Sequence, residues 1–356
     1  MIIFSPGPSN ISDRVRRALL APDVGHREAE FGVLLTQVRS RLREAVALSS
    51  SSTHSVVLLG GSGSVAIESI VAAARPLGRM LVIANGPYGE RAAAMARHHG
   101  TDVYEWRLAW GEEIVLDTLD EKLNAGPYGA VYVVHHETAT GRLNPLREIA
   151  ASAKRHGALI LADTVSSIVG EPINIEGWNL DAVIGSANKC LRGVPGAAFV
   201  VASAGFRRAA AEQRGQHYSN LDLHATAQEA GEFPFTPPLH PLFALNEALA
   251  ETLDEGVLAR QAHFGALMHQ VLDGLDSLGI ATLLPRAAYG HTLVAAHLPA
   301  GWSYDALHAP LKKAGYCIYA AQGALKASAF RIGVIGHFGA DAVEGLLSEM
   351  KVVLGR

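Results

Sequence analysis

The sequence predicts an α/β fold: a large domain on a mostly parallel sheet flanked by helices, then a smaller C-terminal α+β domain. Three observations predict it. Short, almost wholly apolar runs recur at residues 55–59, 80–84, 130–134, 158–162, 181–185 and 197–201, as strands buried on both faces require. Helical patterns at 64–74 and 146–156 separate some of them, and strands alternating with helices build parallel sheets. After about residue 240 long helical patterns take over.

The elements follow in order. The run 55–59 leads through Gly60-Gly61-Ser62-Gly63-Ser64 into the helix 64–74. The run 80–84 ends in Asn85-Gly86-Pro87-Tyr88-Gly89, which reads as a loop. The run 130–134 leads to Glu137-Thr138-Ala139-Thr140-Gly141 and then to the crossover helix 146–156. The run 158–162 ends at Asp163, and 181–185 is followed by Ser186-Ala187-Asn188-Lys189. The turn Gly193-Val194-Pro195-Gly196 precedes 197–201. The turn-rich stretch Glu232-Phe233-Pro234-Phe235-Thr236-Pro237-Pro238 reads as the join between domains. Beyond it come helices at 241–255 and 257–278, an apolar run at 292–298, and a helix at 304–314. A β-like segment at 330–335 and a last helix at 340–354 complete the chain.

Composition bounds the function. The 356 residues suffice for one large or two moderate domains. With 49% hydrophobic residues, 18% charged residues and mean hydropathy +0.17, the chain is core-forming. A net charge of −4 supplies no basic field for nucleic acid. The two cysteines, Cys190 and Cys317, make neither a metal-ligand spacing nor a disulfide framework. The start Met1-Ile2-Ile3-Phe4 lacks the basic and apolar regions of a secretory signal. No apolar run approaches the ~18 residues of a membrane span. A cytoplasmic protein with no membrane partner is expected, and no metal.

Lys189 and Asp163 carry the chemistry. A carboxylate at one strand end and a lysine just past another suit pyridoxal 5'-phosphate: the amine makes a Schiff base, and the carboxylate keeps the pyridine nitrogen protonated. Lysines number only seven against twenty-three arginines, so few residues could serve. Taken alone, Asp163 reads equally as a helix N-cap, and most lysines are solvated surface groups. The loop 60–64 places N–H groups at a helix start, where an anion is favoured. It has no Walker lysine. Gly61-Ser62-Gly63-Ser64-Val65-Ala66 fits a dinucleotide fingerprint, but the next strand ends in Asn85-Gly86 where that fold needs an acid. A phosphate monoester fits better, and a plain glycine-rich turn stays open. Tyr88 is placed to stack on a flat ring or simply to pack a loop. Thr138 is placed to reach the ring oxygen. Arg331 offers a fork for a carboxylate or phosphonate, or a surface pair. Cys190 reads as a small buried residue rather than a reactive thiol.

This combination resembles the class V aminotransferases, which are fold-type I pyridoxal phosphate enzymes. The likeness runs from Ser5-Pro6-Gly7-Pro8 and Gly25-His26-Arg27, through Gly61-Ser62-Gly63-Ser64, to Phe330-Arg331-Ile332-Gly333. Within the class, three stretches are most similar to the branch acting on 2-aminoethylphosphonate and pyruvate. They are His136-Glu137-Thr138-Ala139-Thr140-Gly141, Ser186-Ala187-Asn188-Lys189-Cys190 and Phe330-Arg331-Ile332-Gly333. The resemblance implies an N-terminal segment near the active site (1–20), a large cofactor domain (21–240) and a small domain (241–356). It implies that Lys189 bonds the cofactor, Asp163 pairs with the ring nitrogen, and Tyr88 and Val165 flank the ring. Thr138 and Asn188 would flank the ring and lysine, and Ser62, Gly63 and Ser64 would hold the phosphate. Thr236 would reach the partner subunit's phosphate, giving a homodimer with shared active sites. Arg331 would bind the acidic group of a small amino donor and a keto-acid acceptor. Gly25-His26-Arg27-Glu28 and Thr236-Pro237-Pro238 resemble the alanine/serine–glyoxylate aminotransferases and keep that activity open, and after Ile318-Tyr319 the pair Ala320-Ala321 replaces the Pro-Gly usual in the phosphonate branch. A cysteine desulfurase-like lyase, which needs a nucleophilic cysteine, and a non-catalytic nucleotide-binding module are further rivals.

Overall fold

The computed structural model describes residues 1–212 and 216–356. Seven strands form the large sheet: β1 (Ser55–Gly61), β2 (Met80–Ala84), β3 (Val103–Arg107), β4 (Ala130–Val134), β5 (Leu159–Asp163), β6 (Ala182–Ser186) and β7 (Gly196–Ala202). Their spatial order is β1-β7-β6-β5-β4-β2-β3. Only β7 runs against its neighbours, β1 and β6; the other pairings are parallel. All six expected runs are strands. β3 was not foreseen, because it is an edge strand whose Glu105 and Arg107 pair with each other.

Both faces of the sheet are buried, and successive residues feed opposite cores. Val56, Leu58, Ile160 and Phe199 join one cluster, whereas Val57, Leu59, Leu161 and Val200 join the other. The helices α1 (Gly63–Ala73) and α2 (Pro87–His98) follow β1 and β2 directly. Tyr88 therefore lies in the first turn of α2, not on a loop. Pro87 opens that helix, where its fixed φ and missing N–H are tolerated.

Past the turn-rich stretch come α3 (Leu239–Glu255) and α4 (Val257–Ser277). The sequence assigned α3 to the small domain, yet Leu242, Leu245 and Leu249 lie in the core of the large sheet. The second half of α4 buries Leu267, Met268 and Val271 in a separate core. There it meets a three-stranded antiparallel sheet of β8 (Leu293–His297), β9 (Tyr319–Ala320) and β10 (Ala329–Gly333), in the order β8-β10-β9. The N-terminal residues Ile2 and Ile3 pair with Tyr316 and Cys317, and Phe4 accepts a bond from Gly333 N–H. The first residues are thus built into the small domain and carry residues 5–8 toward Lys189. Among the described residues no helix is long and apolar enough to cross a membrane, and no acidic, histidine or cysteine cluster could hold a metal.

Candidate active site

The carboxyl ends of β1, β5 and β6 and the start of α2 converge on a cavity of about 230 Å³. Nine residues singled out from the sequence line it: Ser62, Gly63, Ser64, Tyr88, Thr138, Asp163, Val165, Asn188 and Lys189. Carboxyl ends of parallel strands are where open α/β sheets bind ligands.

Each residue has a local reason for its place. Ser62 precedes α1, and its side chain makes no capping bond; Val65 N–H donates to Ser62 O at 2.9 Å, which leaves the N–H groups of Gly63 and Ser64 at the helix start to face an anion. Gly63 lets Val165 close in: a Cβ there would lie 3.0 Å from a Val165 methyl. Asp163 ends β5. Its Oδ1 accepts from Val165 N–H at 3.0 Å and its Oδ2 from the Tyr132 hydroxyl at 3.2 Å. Burial raises its pKa, and those two donors oppose the rise. Lys189 Nζ donates to the carbonyls of Pro6 at 2.6 Å and Gly7 at 3.3 Å. Burial lowers this amine to about 8, so a useful fraction is neutral near physiological pH.

Arg331 and Thr236 do not line the cavity. Arg331 on β10 is buried behind Thr138. Its Nη1 donates to Thr138 O at 3.0 Å, and its Nε and Nη2 donate to Ala320 O at 3.0 and 2.8 Å. Thr236 is exposed in the irregular stretch before α3. Arg91, His136, Ser166 and Ser186 line the cavity without having been assigned a role. Arg91 lies one turn beyond Tyr88 on α2, with its guanidinium 4.9 Å from the Tyr88 ring centre. Recognising α2 would have found it. His136 is held neutral, its pKa pushed down to about 4 by burial.

This donor set fits pyridoxal phosphate. An uncapped helix start with two serines suits the phosphate, a buried carboxylate the ring nitrogen, and a part-neutral lysine the aldehyde. Ser186 Oγ is buried without a partner among the cavity walls. The thiols do not suit a nucleophile: Cys190 donates to Ser166 O at 3.3 Å, and burial pushes its pKa up to about 12. Burial also raises Cys317.

Comparison with known proteins agrees with this geometry. The family model "Aminotransferase class-V" matches residues 13–325. The chain belongs to the class V aminotransferases. It is a pyridoxal phosphate-dependent transaminase with the fold-type I architecture. This class V enzyme is 33% identical to a 2-aminoethylphosphonate–pyruvate transaminase of Pseudomonas putida, covering 99% of this chain and 96% of that protein. An alanine–glyoxylate aminotransferase from Nostoc sp. superposes with a TM-score of 0.93 at 26% identity, over 99% of this chain and 95% of that one. An aspartate aminotransferase from Thermus thermophilus gives 0.90 at 26% identity, over 100% and 99%.

Proposed function

We propose that this transaminase moves the amino group of 2-aminoethylphosphonate, or a close ω-amino phosphonate, to pyruvate. The observation that carries the reading is the full-length likeness to transaminases of that name, 33% identical over 99% of the chain. The stretches around Thr138 and Lys189 support it.

When bound, pyridoxal 5'-phosphate supplies an aldehyde that condenses with amines and a ring that takes up electrons left by proton loss. Ser62, Gly63 and Ser64 would hold its phosphate, Asp163 its ring nitrogen, and Tyr88 and Val165 its faces. Thr138 and Asn188 would flank the ring and the lysine. Lys189 would attach the cofactor. Its amine would be the base that takes the proton from the donor carbon bearing nitrogen and delivers it to the carbon that keeps the nitrogen, not back to its origin. The low pKa of Lys189 serves both roles. Arg331 clamps the acidic group of donor and acceptor in turn. Two backbone carbonyls occupy three of its N–H groups, which fixes the fork, and the Tyr88 side chain lies within hydrogen-bonding reach of the guanidinium. Thr236 would hold the cofactor phosphate of a second copy, which makes the working unit a homodimer.

A second reading, alanine or serine with glyoxylate, is favoured by Gly25-His26-Arg27 and by Ala320-Ala321 beside the Arg331 fork. The test is the visible absorption of the purified protein with pyridoxal phosphate, before and after adding 2-aminoethylphosphonate without keto acid. Loss of the lysine-bound cofactor's band, restored by pyruvate, is the expected result. A band that ignores this donor but responds to alanine or serine overturns the phosphonate reading.

A further inference from the structure

Glu137 is a fully buried carboxylate to which the reading above gives no task. It sits in the short hairpin His136–Glu137 and Arg142–Leu143, immediately before Thr138. Its Oε1 accepts from Ala139 N–H at 3.2 Å, on its own loop. Its Oε2 accepts from Tyr88 N–H at 3.3 Å, in the first turn of α2. The residue before that helix, Gly86, has no side chain to cap it. A Cβ on Gly86 would lie 2.3 Å from Glu137 Cδ and 2.5 Å from Oε2. Gly86 has extended backbone, with φ 177, so no left-handed conformation demands glycine there. Glycine is demanded because the space of an N-cap side chain is filled by a carboxylate from elsewhere in the chain.

We propose that Glu137 is a positioning residue: it caps α2 across space and thereby fixes Tyr88 relative to Thr138 and Arg331. The link continues beyond the carboxylate, because Thr138 O holds Arg331 Nη1. Glu137 thus links the backbone at the ring-stacking tyrosine to the loop that holds the acid-binding arginine, while the Tyr88 hydroxyl meets the small domain through Gln322 Nε2 at 3.4 Å and through Arg331. The amide pair Asn85–Asn144 ties the same two segments, but it stops short of the helix N–H groups. The carboxyl is pushed up to about 8 by burial, as expected for a carboxylate that is placed for geometry and not for solvation. The proposal rests on the assignment of Tyr88, Thr138 and Arg331 given above.

The test uses the full-length protein and two readouts: the dissociation constant for pyridoxal phosphate in the cofactor-free protein, and kcat and KM of the loaded enzyme. Glu137→Ala should weaken cofactor binding and lower kcat/KM roughly tenfold, the worth of a lost cap. Adding Gly86→Asp to Glu137→Ala should restore much of both, because the vacated space now admits a local N-cap. A purely packing role for Glu137 would not be rescued by a second residue on another element. A defective Glu137→Ala with no rescue overturns the proposal. If Glu137→Ala does not fold, Glu137→Met decides: it keeps about the volume and removes both acceptor oxygens, and wild-type cofactor affinity in it also overturns the proposal. Tyr88→Ala separates the two readings. If it binds cofactor normally, the assignment of Tyr88 falls. If it is defective while the Glu137 variants are normal, only the positioning role falls.

Discussion

Replacing Lys189 with methionine should stabilise the cofactor-free protein near neutral pH. Burial takes the amine from 10.5 to about 8. The folded state therefore binds this proton less well than the unfolded chain does. The resulting cost is fully present below about 8 and is relieved as pH rises toward 10.5. At full value that shift corresponds to about 3 kcal/mol near pH 7; the opening of the amine onto the cavity reduces it. Against this stand the two carbonyl contacts at 2.6 and 3.3 Å, whose loss costs about 1 kcal/mol each. A net gain of at most about 1 kcal/mol remains, or a rise of up to roughly three degrees in Tm. Differential scanning calorimetry of cofactor-free wild type and Lys189→Met, at equal protein concentration, measures it. The variant should melt higher near pH 7, and the order should vanish or reverse above the ordinary lysine pKa. A variant that melts lower near pH 7, or by the same margin at both pH values, refutes the reasoning.

Other outcomes follow from the same geometry. Tyr132→Phe removes one of the two donors to Asp163 and should raise that carboxyl's pKa. It should weaken pyridoxal phosphate binding about tenfold, since hydrogen bonds to charged groups contribute about 1.5–3 kcal/mol; equilibrium titration by absorbance reads it. Cys190→Ala should leave kcat within about twofold, as most substitutions away from the reacting groups do. The wild-type Cys190 should resist alkylation at neutral pH because its thiol is held near 12, as mass spectrometry of iodoacetamide-treated protein would show. Arg331→Ala should raise KM for an acidic donor about a hundredfold, through loss of a charged clamp of roughly 3 kcal/mol. Steady-state kinetics with a donor lacking the acidic group should show no such penalty.

The central strands were legible because a strand buried on both faces must be apolar throughout, and Met80–Ala84 and Ala130–Val134 are. Lys189 and Asp163 were legible because they break such runs at their carboxyl ends. What stayed hidden depended on partners distant in sequence. β3 alternates toward charge at an edge, where Glu105 also meets Arg97. The start of α2 reads as a loop because Gly86 offers no cap; the cap arrives from Glu137. The assignment of α3 followed a change in local pattern, and local pattern cannot say which core Leu242 and Leu245 will join. Arg331 stands out in the sequence as a candidate, but its ties to the backbone of Thr138 and Ala320 depend on the meeting of the two domains.

The one antiparallel strand has a consequence for synthesis. Among the described residues, β1 has β7 as its sole strand partner in the large sheet, with Gly61 opposite Gly196. The ribosome makes β1 first and its partner about 135 residues later, a delay of roughly seven to thirty seconds at ordinary elongation rates. Through that interval Val56, Val57, Leu58 and Leu59 have no neighbour in the sheet. The nascent chain thus carries an apolar segment suited to chaperone capture, and a polypeptide released before residue 196 has no strand on which to anchor the loop that precedes α1.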